Sequence, residues 1–361
     1  MHKSALTIIL ALIYFIGIHA QKKEVSFLFA GDAMQHQSQI NVARTTDGFD
    51  YSAYFEKVKD KITAADIAVV NLEVTLAGKP YRGYPQFSAP DEFASELKNS
   101  GFDIFLTANN HSLDRRKKGL ERTIEVLDSL KILHTGTFVD STKRELYYPL
   151  MMIRNGIRIA MLNYTYGTNG IKQTSPNIVN YIDKPTILKD IAAAKAMRAD
   201  VIIANMHWGY EYKLMPNKEQ KELANFLIAN GVKIVIGNHP HVVQPIDIRY
   251  NENEEIDAVI IYSLGNFVSG MKLVNTTGGM MANVSISKEK DKKVTIEDCS
   301  YSLVWVHKTK DKHGNFNFFE LLPTEKYEDD KGKEYLGEEN YKLMKSFSET
   351  AKKTVEAYWN Q

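Results

Sequence analysis

Residues 232–241, VKIVIGNHPH, run apolar and β-branched from Val232 to Ile236 and then break into a polar cluster, Gly-Asn-His-Pro-His. A continuous apolar run of this kind suits a strand buried on both faces, and the carboxyl ends of such strands are where α/β sheets bind ligands. His239 and His241 stand two apart across Pro240. In a strand-to-loop segment that spacing turns both imidazoles to one side, and the proline restricts the backbone between them. Imidazole is the commonest nitrogen ligand for Zn, Fe or Mn, so the pair is a candidate metal site. Alone, either histidine can equally cap a turn beside the proline.

The same habit recurs along the chain. VSFLFAGD (25–32), ADIAVVNLE (65–73), FDIFLTANNH (102–111), ADVIIANMHWG (199–209) and AVIIYSLGNF (258–267) each end their apolar run at Asp, Glu, Asn or His. Amphipathic helices are predicted in the intervals, over 52–64, 91–100, 118–131, 186–198 and 216–230. The last starts at Pro216 and stops before Gly231, residue types favoured at those positions. Strands alternating with helices predict an α/β layered fold. After Gly278 the texture changes: GMMANVSIS (279–287) and KVTIEDCSYSLVWVHK (293–308) alternate as antiparallel strands do. Polar segments around 308–317 and 325–333 follow, then an amphipathic helix over 338–359 expected to pack on the outside. The simplest division is one domain over 21–310, with 311–361 as a polar segment and helix packed on it.

The chain of 361 residues is 44% hydrophobic and 25% charged, which excludes a disordered or fibrous protein. Its 45 Lys+Arg against 44 Asp+Glu leave a formal charge of +1, so no global field recruits nucleic acid or an anionic membrane. The N-terminus, MHKSALTIILALIYFIGIHAQKK, has Lys3, an apolar run from Ala5 to Ile18 and Ala20 before Gln21. That pattern predicts an export signal over 1–20 and a periplasmic or cell-surface protein. An uncleaved N-terminal anchor is the alternative, although the run is shorter than the ~20 apolar residues of a membrane span. Cys299 is the only cysteine, so no intramolecular disulfide forms; it reads as a buried apolar residue of a strand.

Five further residues at strand ends share the chemistry of the histidine pair: Asp32, Glu73, Asn110, His111 and His207. Carboxylates and an amide carbonyl supply hard oxygen and imidazoles supply nitrogen, a mixed set that fits two adjacent divalent cations. Each has a plainer reading. Asp32 can be a turn residue after Gly31, Glu73 a surface carboxylate, Asn110 a turn former and His207 a core histidine beside Trp208. Five such coincidences at one sheet edge favour the site. Nearby, Glu211 lies between Tyr210 and Tyr212, and Asn266 closes SLGNF after Ser263 and Gly265; Asn266 is a candidate to support a ligand from behind. Tyr164 and Tyr166 line a groove or pack in the core.

The order GDAMQH (31–36), NLEVTLAG (71–78), TANNHSLDRRKKGLERTIEVLD (107–128), MHWGYEY (206–212), NKEQKELANFLIANGVKIVIGNHPHVVQP (217–245) and YSLGNF (262–267) resembles the CapA family. That family is named for poly-γ-glutamate capsule synthesis and is similar to the calcineurin-like metallophosphatases. The resemblance runs from about Val25 to Gly279. It implies a four-layer α/β/β/α sandwich with a two-metal centre. Asp32 resembles the first carboxylate ligand and Glu73 the carboxylate that bridges both metals. Asn110 looks like the amide ligand, and His111 its neighbouring acid, which binds no metal. His207 and His239 would complete one metal and His241 would reach the other. Asp114 either orients His111 or caps the following helix, the cap being preferred.

The pattern departs at Met34, where the metallophosphatases carry the histidine of Asp-x-His. One metal site is thereby short of a nitrogen and expected to be weak. His36 either compensates or is a solvent-facing loop histidine, and Glu73, in the usual place of an Asp, is longer by a methylene. The resemblance therefore implies one of two functions: an exported metal-dependent hydrolase of phosphoester or amide bonds, or a non-catalytic, metal-dependent accessory protein of polymer synthesis or export. Expected partners are an anionic polymer or a phosphorylated or γ-glutamyl substrate, and a membrane-bound polymer synthase complex.

Overall fold

The structure, a computed structural model, describes residues 22–358. The expected export signal over 1–20 lies outside the described residues. The first half of the chain carries strands β1 (Lys23–Ala33), β2 (Ile67–Leu72), β3 (Ile104–Leu106) and β4 (Leu133–Thr135), paired in parallel in the order β4-β3-β2-β1. Helices α1 (Gln37–Ala43), α2 (Ser52–Phe55), α3 (Lys59–Thr63), α4 (Asp91–Asn99) and α5 (Arg116–Ser129) connect them.

A short ribbon of β5 (Thr137–Phe138) and β8 (Ile178–Val179) flanks the second half, which holds α6 (Ser141–Tyr147), β6 (Leu150–Arg154) and β7 (Ile157–Thr165). Helix α7 (Lys184–Ala196) leads to β9 (Val201–His207), and α8 (Lys218–Ala229) leads to β10 (Ile234–Asn238). Then follow β11 (Ile246–Tyr250), β12 (Ile256–Ile261) and β13 (Asn266–Val268). Strands β7, β9, β10 and β12 are parallel neighbours. The chain closes with β14 (Gly278–Lys288), β15 (Thr295–Lys310), β16 (Phe316–Pro323) and α9 (Asp330–Val355). As the alternation at 279–287 and 293–308 predicts, β14 and β15 pair antiparallel.

Side-chain alternation explains the layering. Phe27, Val69, Ile104, Met161, Ile203, Ile236 and Ile261 face one shared inner core. Leu28, Val70 and Phe105 turn the other way onto the helices of the first half, and Leu162, Ile202, Val235 and Ile260 onto α7 and α8. Because side chains alternate with a period of two, strands that are apolar at every position must be covered on both faces. The result is the expected four-layer α/β/β/α sandwich. Its two sheet halves are joined in hydrogen bonding between β12 and β15 through the single pair Ile256 and Ile296.

Several boundaries differ from expectation. The helix predicted over 52–64 is broken: Val58 N bonds Phe55 O, three residues back, and this tighter turn keeps Tyr54, Phe55, Val58 and Ile62 all buried. Helix α8 starts after Asn217 and not at Pro216, because Asn217 and Gln220 cap one another reciprocally. The C-terminal helix begins eight residues earlier than Glu338, after Asp329, whose carboxylate accepts from Gly332 N; Gly337, at φ 73°, interrupts it. The polar segment around 308–317 is the tip of the β15–β16 hairpin. Cys299 lies in β15, half-buried, and burial pushes its thiol up to about 12.

Candidate metal centre

The carboxyl ends of strands from both halves meet at one edge. Asp32 belongs to β1, Glu73 follows β2, Asn110 and His111 follow β3, His207 ends β9, and His239 and His241 follow β10. All seven are buried. Asp32 gets there because Gly31 lacks a side chain: a Cβ at Gly31 would sit 1.9 Å from Gly265 O, so only glycine lets β1 approach β13 this closely.

Glu73 is the hub. Its Oε1 lies 3.7 Å from His207 Nε2, 3.8 Å from His241 Nε2 and 4.0 Å from His111 Nε2. These separations are too long for hydrogen bonds, and neither Glu73 oxygen has a partner among the described residues. A buried, unpaired carboxylate is costly, whereas a cation bonded at ~2.0–2.2 Å to each donor can be shared by atoms spaced this way. Two sets of donor atoms could hold an ion, each within 4.8 Å of one another: Glu73 with His239 and His241, and Asp32 with Glu73 and His207. Glu73 is common to both. His239 belongs to the first set, and its ring lies 4.8 Å from that of His207 in the second. Asn110 Oδ1 stands 3.0 Å from His207 Nε2. These residues fit a metal.

Electrostatics at His207 and His239 agree with that fit. Burial, then the charge of Asp32, pushes the Glu73 carboxyl well above its ordinary range. Burial opposes ionisation of Asp32 too, but hydrogen bonding and charge from His241 outweigh it and hold Asp32 low. His241 is raised in turn: Asp32 overcomes burial, across 3.2 Å from Nδ1 to Oδ2. Burial drives His207 well down and, with the charge of His241, takes His239 to about 3. Neutral imidazoles are the form that ligates metal.

The histidine pair is placed differently from the strand reasoning. Strand β10 stops at Asn238, and His239 and His241 adopt φ of 98° and 57°. Both are in the left-handed region, which side chains other than glycine rarely occupy, so a strained turn and not strand alternation aims them inward.

Supporting contacts bring in most of the remaining candidates. His111 Nδ1 is 2.7 Å from Asp114 Oδ2, which also accepts from Phe87 N at 2.7 Å. The preferred reading of Asp114 as a helix cap is therefore corrected: α5 is preceded by Arg115, and Asp114 orients the imidazole. Asn266 Oδ1 lies 3.0 Å from His241 Nδ1, leaving Nε2 toward Glu73. The Tyr166 ring packs on His239 at 4.5 Å with the planes tilted by 44°, exposed Tyr212 lies 6.3 Å from His241, and the charge of exposed Glu211 acts on both Glu73 and His241. Tyr164 is not in the groove; it is buried in the outer core with its hydroxyl donating to Asp190. His36 neither joins the cluster nor faces solvent. Its Nδ1 accepts from Gly270 N at 3.1 Å, its ring packs on Phe87, and burial lowers it to about 4. Met34 packs in the outer apolar core and offers no nitrogen.

Sequence reasoning missed Asn71. Its Nδ2 donates to Asp32 Oδ1 at 2.7 Å and lies 3.3 Å from His207 Nδ1, so it ties the two halves together behind the centre. The signal was present: Asn71 precedes Glu73 by two and so shares its side of the chain.

The family described as "Bacterial capsule synthesis protein PGA_cap" matches residues 26–271. The chain belongs to this family. It is 28% identical over 73% of its length to the PGA biosynthesis protein CapA of Bacillus subtilis, of which the match covers 68%. It is 29% identical over 69% of its length to the capsule biosynthesis protein CapA of Bacillus anthracis, of which it spans 61%. Among solved structures, the Haemophilus influenzae NAD nucleotidase NadN superimposes with a TM-score of 0.50 at 14% identity, over 82% of this chain and 60% of that one. That likeness shows the fold alone.

Proposed function

We propose that this PGA_cap protein is an exported, metal-dependent hydrolase that cuts phosphoester or amide bonds in the course of poly-γ-glutamate or related capsule polymer synthesis. The observation that carries the reading is Glu73: a buried carboxylate without a hydrogen bond, faced by the Nε2 atoms of His207, His241 and His111. Asp32, Glu73, Asn110, His207, His239 and His241 would hold two divalent ions, Mn, Fe or Zn. Such ions polarise a phosphoryl or carbonyl oxygen and lower the pKa of bound water. Asp114 holds His111 by Nδ1, which leaves Nε2 facing the centre to pass a proton to the leaving group. Among the described residues no helix is long and apolar enough to cross a membrane; capsule-related relatives support a surface location.

Met34 favours a second reading. With its side chain committed to the apolar core, the Asp32 side lacks the nitrogen that Asp-x-His provides, which suits a centre that holds an anionic chain without cutting it. Elemental analysis of the mature protein, expected to find about two divalent ions lost in the His239→Ala, His241→Ala variant, decides whether metal is bound. Turnover of phosphoesters, γ-glutamyl peptides and poly-γ-glutamate with Mn or Zn supplied then separates the readings. Metal-dependent polymer binding without turnover would select the accessory role.

A further inference from the structure

The chain is nearly charge-balanced, 45 Lys+Arg against 44 Asp+Glu, so a group of cations with no anion among them is an exception. Such a group gathers where the loop at Met271 meets β15. Lys308 on β15 donates from Nζ to Met271 O at 2.6 Å, and the Nζ atoms of Lys308 and Lys310 stand 5.6 and 5.3 Å from the centre of the Phe316 ring. Lys272 follows Met271. Burial, joined by the charges of Lys272 and Lys310, lowers Lys308 to about 8, and among the described residues no carboxylate stands within ion-pair distance of its Nζ. By contrast Lys288 and Lys292, at the other end of β14 and just beyond it, pair with Asp200 and Glu289.

The loop that carries this group is tied to the centre. Asn266, which holds His241, also donates from Nδ2 to Thr276 O at 2.9 Å and lies 3.4 Å from Met271 Sδ. Gly270 N donates to His36, whose ring packs on Phe87 at 5.4 Å, and Phe87 packs on His111 at 4.7 Å. His36 feels the charges of His241, Lys308 and His111 together, so it lies between Lys308 and the histidines. A half-buried ammonium beside two others is unfavourable until an anion joins them.

We propose that Lys272, Lys308 and Lys310 form a subsite for an oxyanion, a carboxylate or phosphate, of a ligand whose reacting bond lies at the Glu73–His111 centre. The placement of the reacting bond rests on the hydrolase reading above; the anion subsite does not. The ligand class is then a polyanion, with one charged group seated on the lysines while its neighbour is processed.

The test uses the full chain with Lys272→Gln and Lys310→Gln, both exposed, and fluorescence polarisation of a labelled short γ-glutamate oligomer and of a labelled short polyphosphate. The double variant is expected to bind at least one of them about tenfold more weakly and with a flatter salt dependence, while its metal content is unchanged. Adding Lys308→Gln is expected to weaken binding further. Loss confined to the γ-glutamate oligomer identifies a polycarboxylate ligand, and loss confined to polyphosphate a phosphorylated one. Unchanged affinity for both, or an equal loss for a neutral glutamine oligomer, overturns the subsite. Lysine-dependent binding by a native protein that holds metal but shows no turnover keeps the subsite while removing the hydrolase reading.

Discussion

Asp114 Oδ2 lies 2.7 Å from His111 Nδ1 and accepts the Phe87 amide at the same distance, so one carboxylate fixes both the imidazole and the aromatic ring packed against it. Asp114→Asn keeps the size and an acceptor for Phe87 but loses the charge that steadies His111. Activity is expected to fall about ten- to a hundredfold in kcat, with KM and metal content unchanged. Loss of metal in this variant would show that Asp114 supports the fold of the centre and not the proton carrier.

Stability after chelation depends on pH through Glu73. Its folded pKa is raised by burial and by Asp32, above the unfolded value of 4.5. The unligated folded protein therefore binds more protons than the unfolded chain above that value, and stability falls as pH rises through the window between the two. Metal removes this penalty by binding the ionised form. The drop in Tm on adding a chelator is thus expected to be larger at pH 8 than at pH 5, as read by thermal denaturation; an equal drop at both would contradict the assignment of Glu73.

The left-handed φ of His239 and His241 gives a test free of catalysis. In the chelated protein, His241→Gly is expected to be more stable than His241→Ala by about 1 kcal/mol, because glycine accepts φ 57° without strain. Elsewhere in a chain the order is normally the reverse, since glycine gains freedom in the unfolded state. Denaturant titration of the two variants distinguishes them.

Lys308 carries a cost that its surroundings do not relieve. Its folded pKa of about 8 lies below the unfolded 10.5, so the charged form is penalised fully below pH 8, and the penalty disappears as pH rises toward 10.5. That shift corresponds to roughly 3 kcal/mol, of which the lost bond to Met271 O would offset about 1 kcal/mol. Lys308→Met is expected to be the more stable protein at pH 7, with the difference shrinking by pH 10. No pH dependence would mean that an anion already accompanies Lys308.

Much of this molecule is legible locally. The apolar runs at 25–32, 65–73, 199–209 and 232–241 determine strands covered on both faces, since no solvent-facing strand tolerates apolar residues at every position. The polar residue that ends each run marks the edge where ligands gather. Helix ends were less legible: Asn217 displaces Pro216 as the start of α8 through a hydrogen bond that composition does not rank.

The sequence by itself therefore determined the α/β layering, the family and the residue types gathered at one sheet edge. Only the tertiary structure decided that Glu73 stands between His207, His241 and His111, that Asn71 binds Asp32 to the opposite half, and that the Met271 loop brings Lys308 to the side of His36. The physical reason is separation along the chain. Periodicity and capping report neighbours a few residues apart, whereas the Asn71–His207 contact spans 136 positions and exists only once the two sheet halves pack face to face.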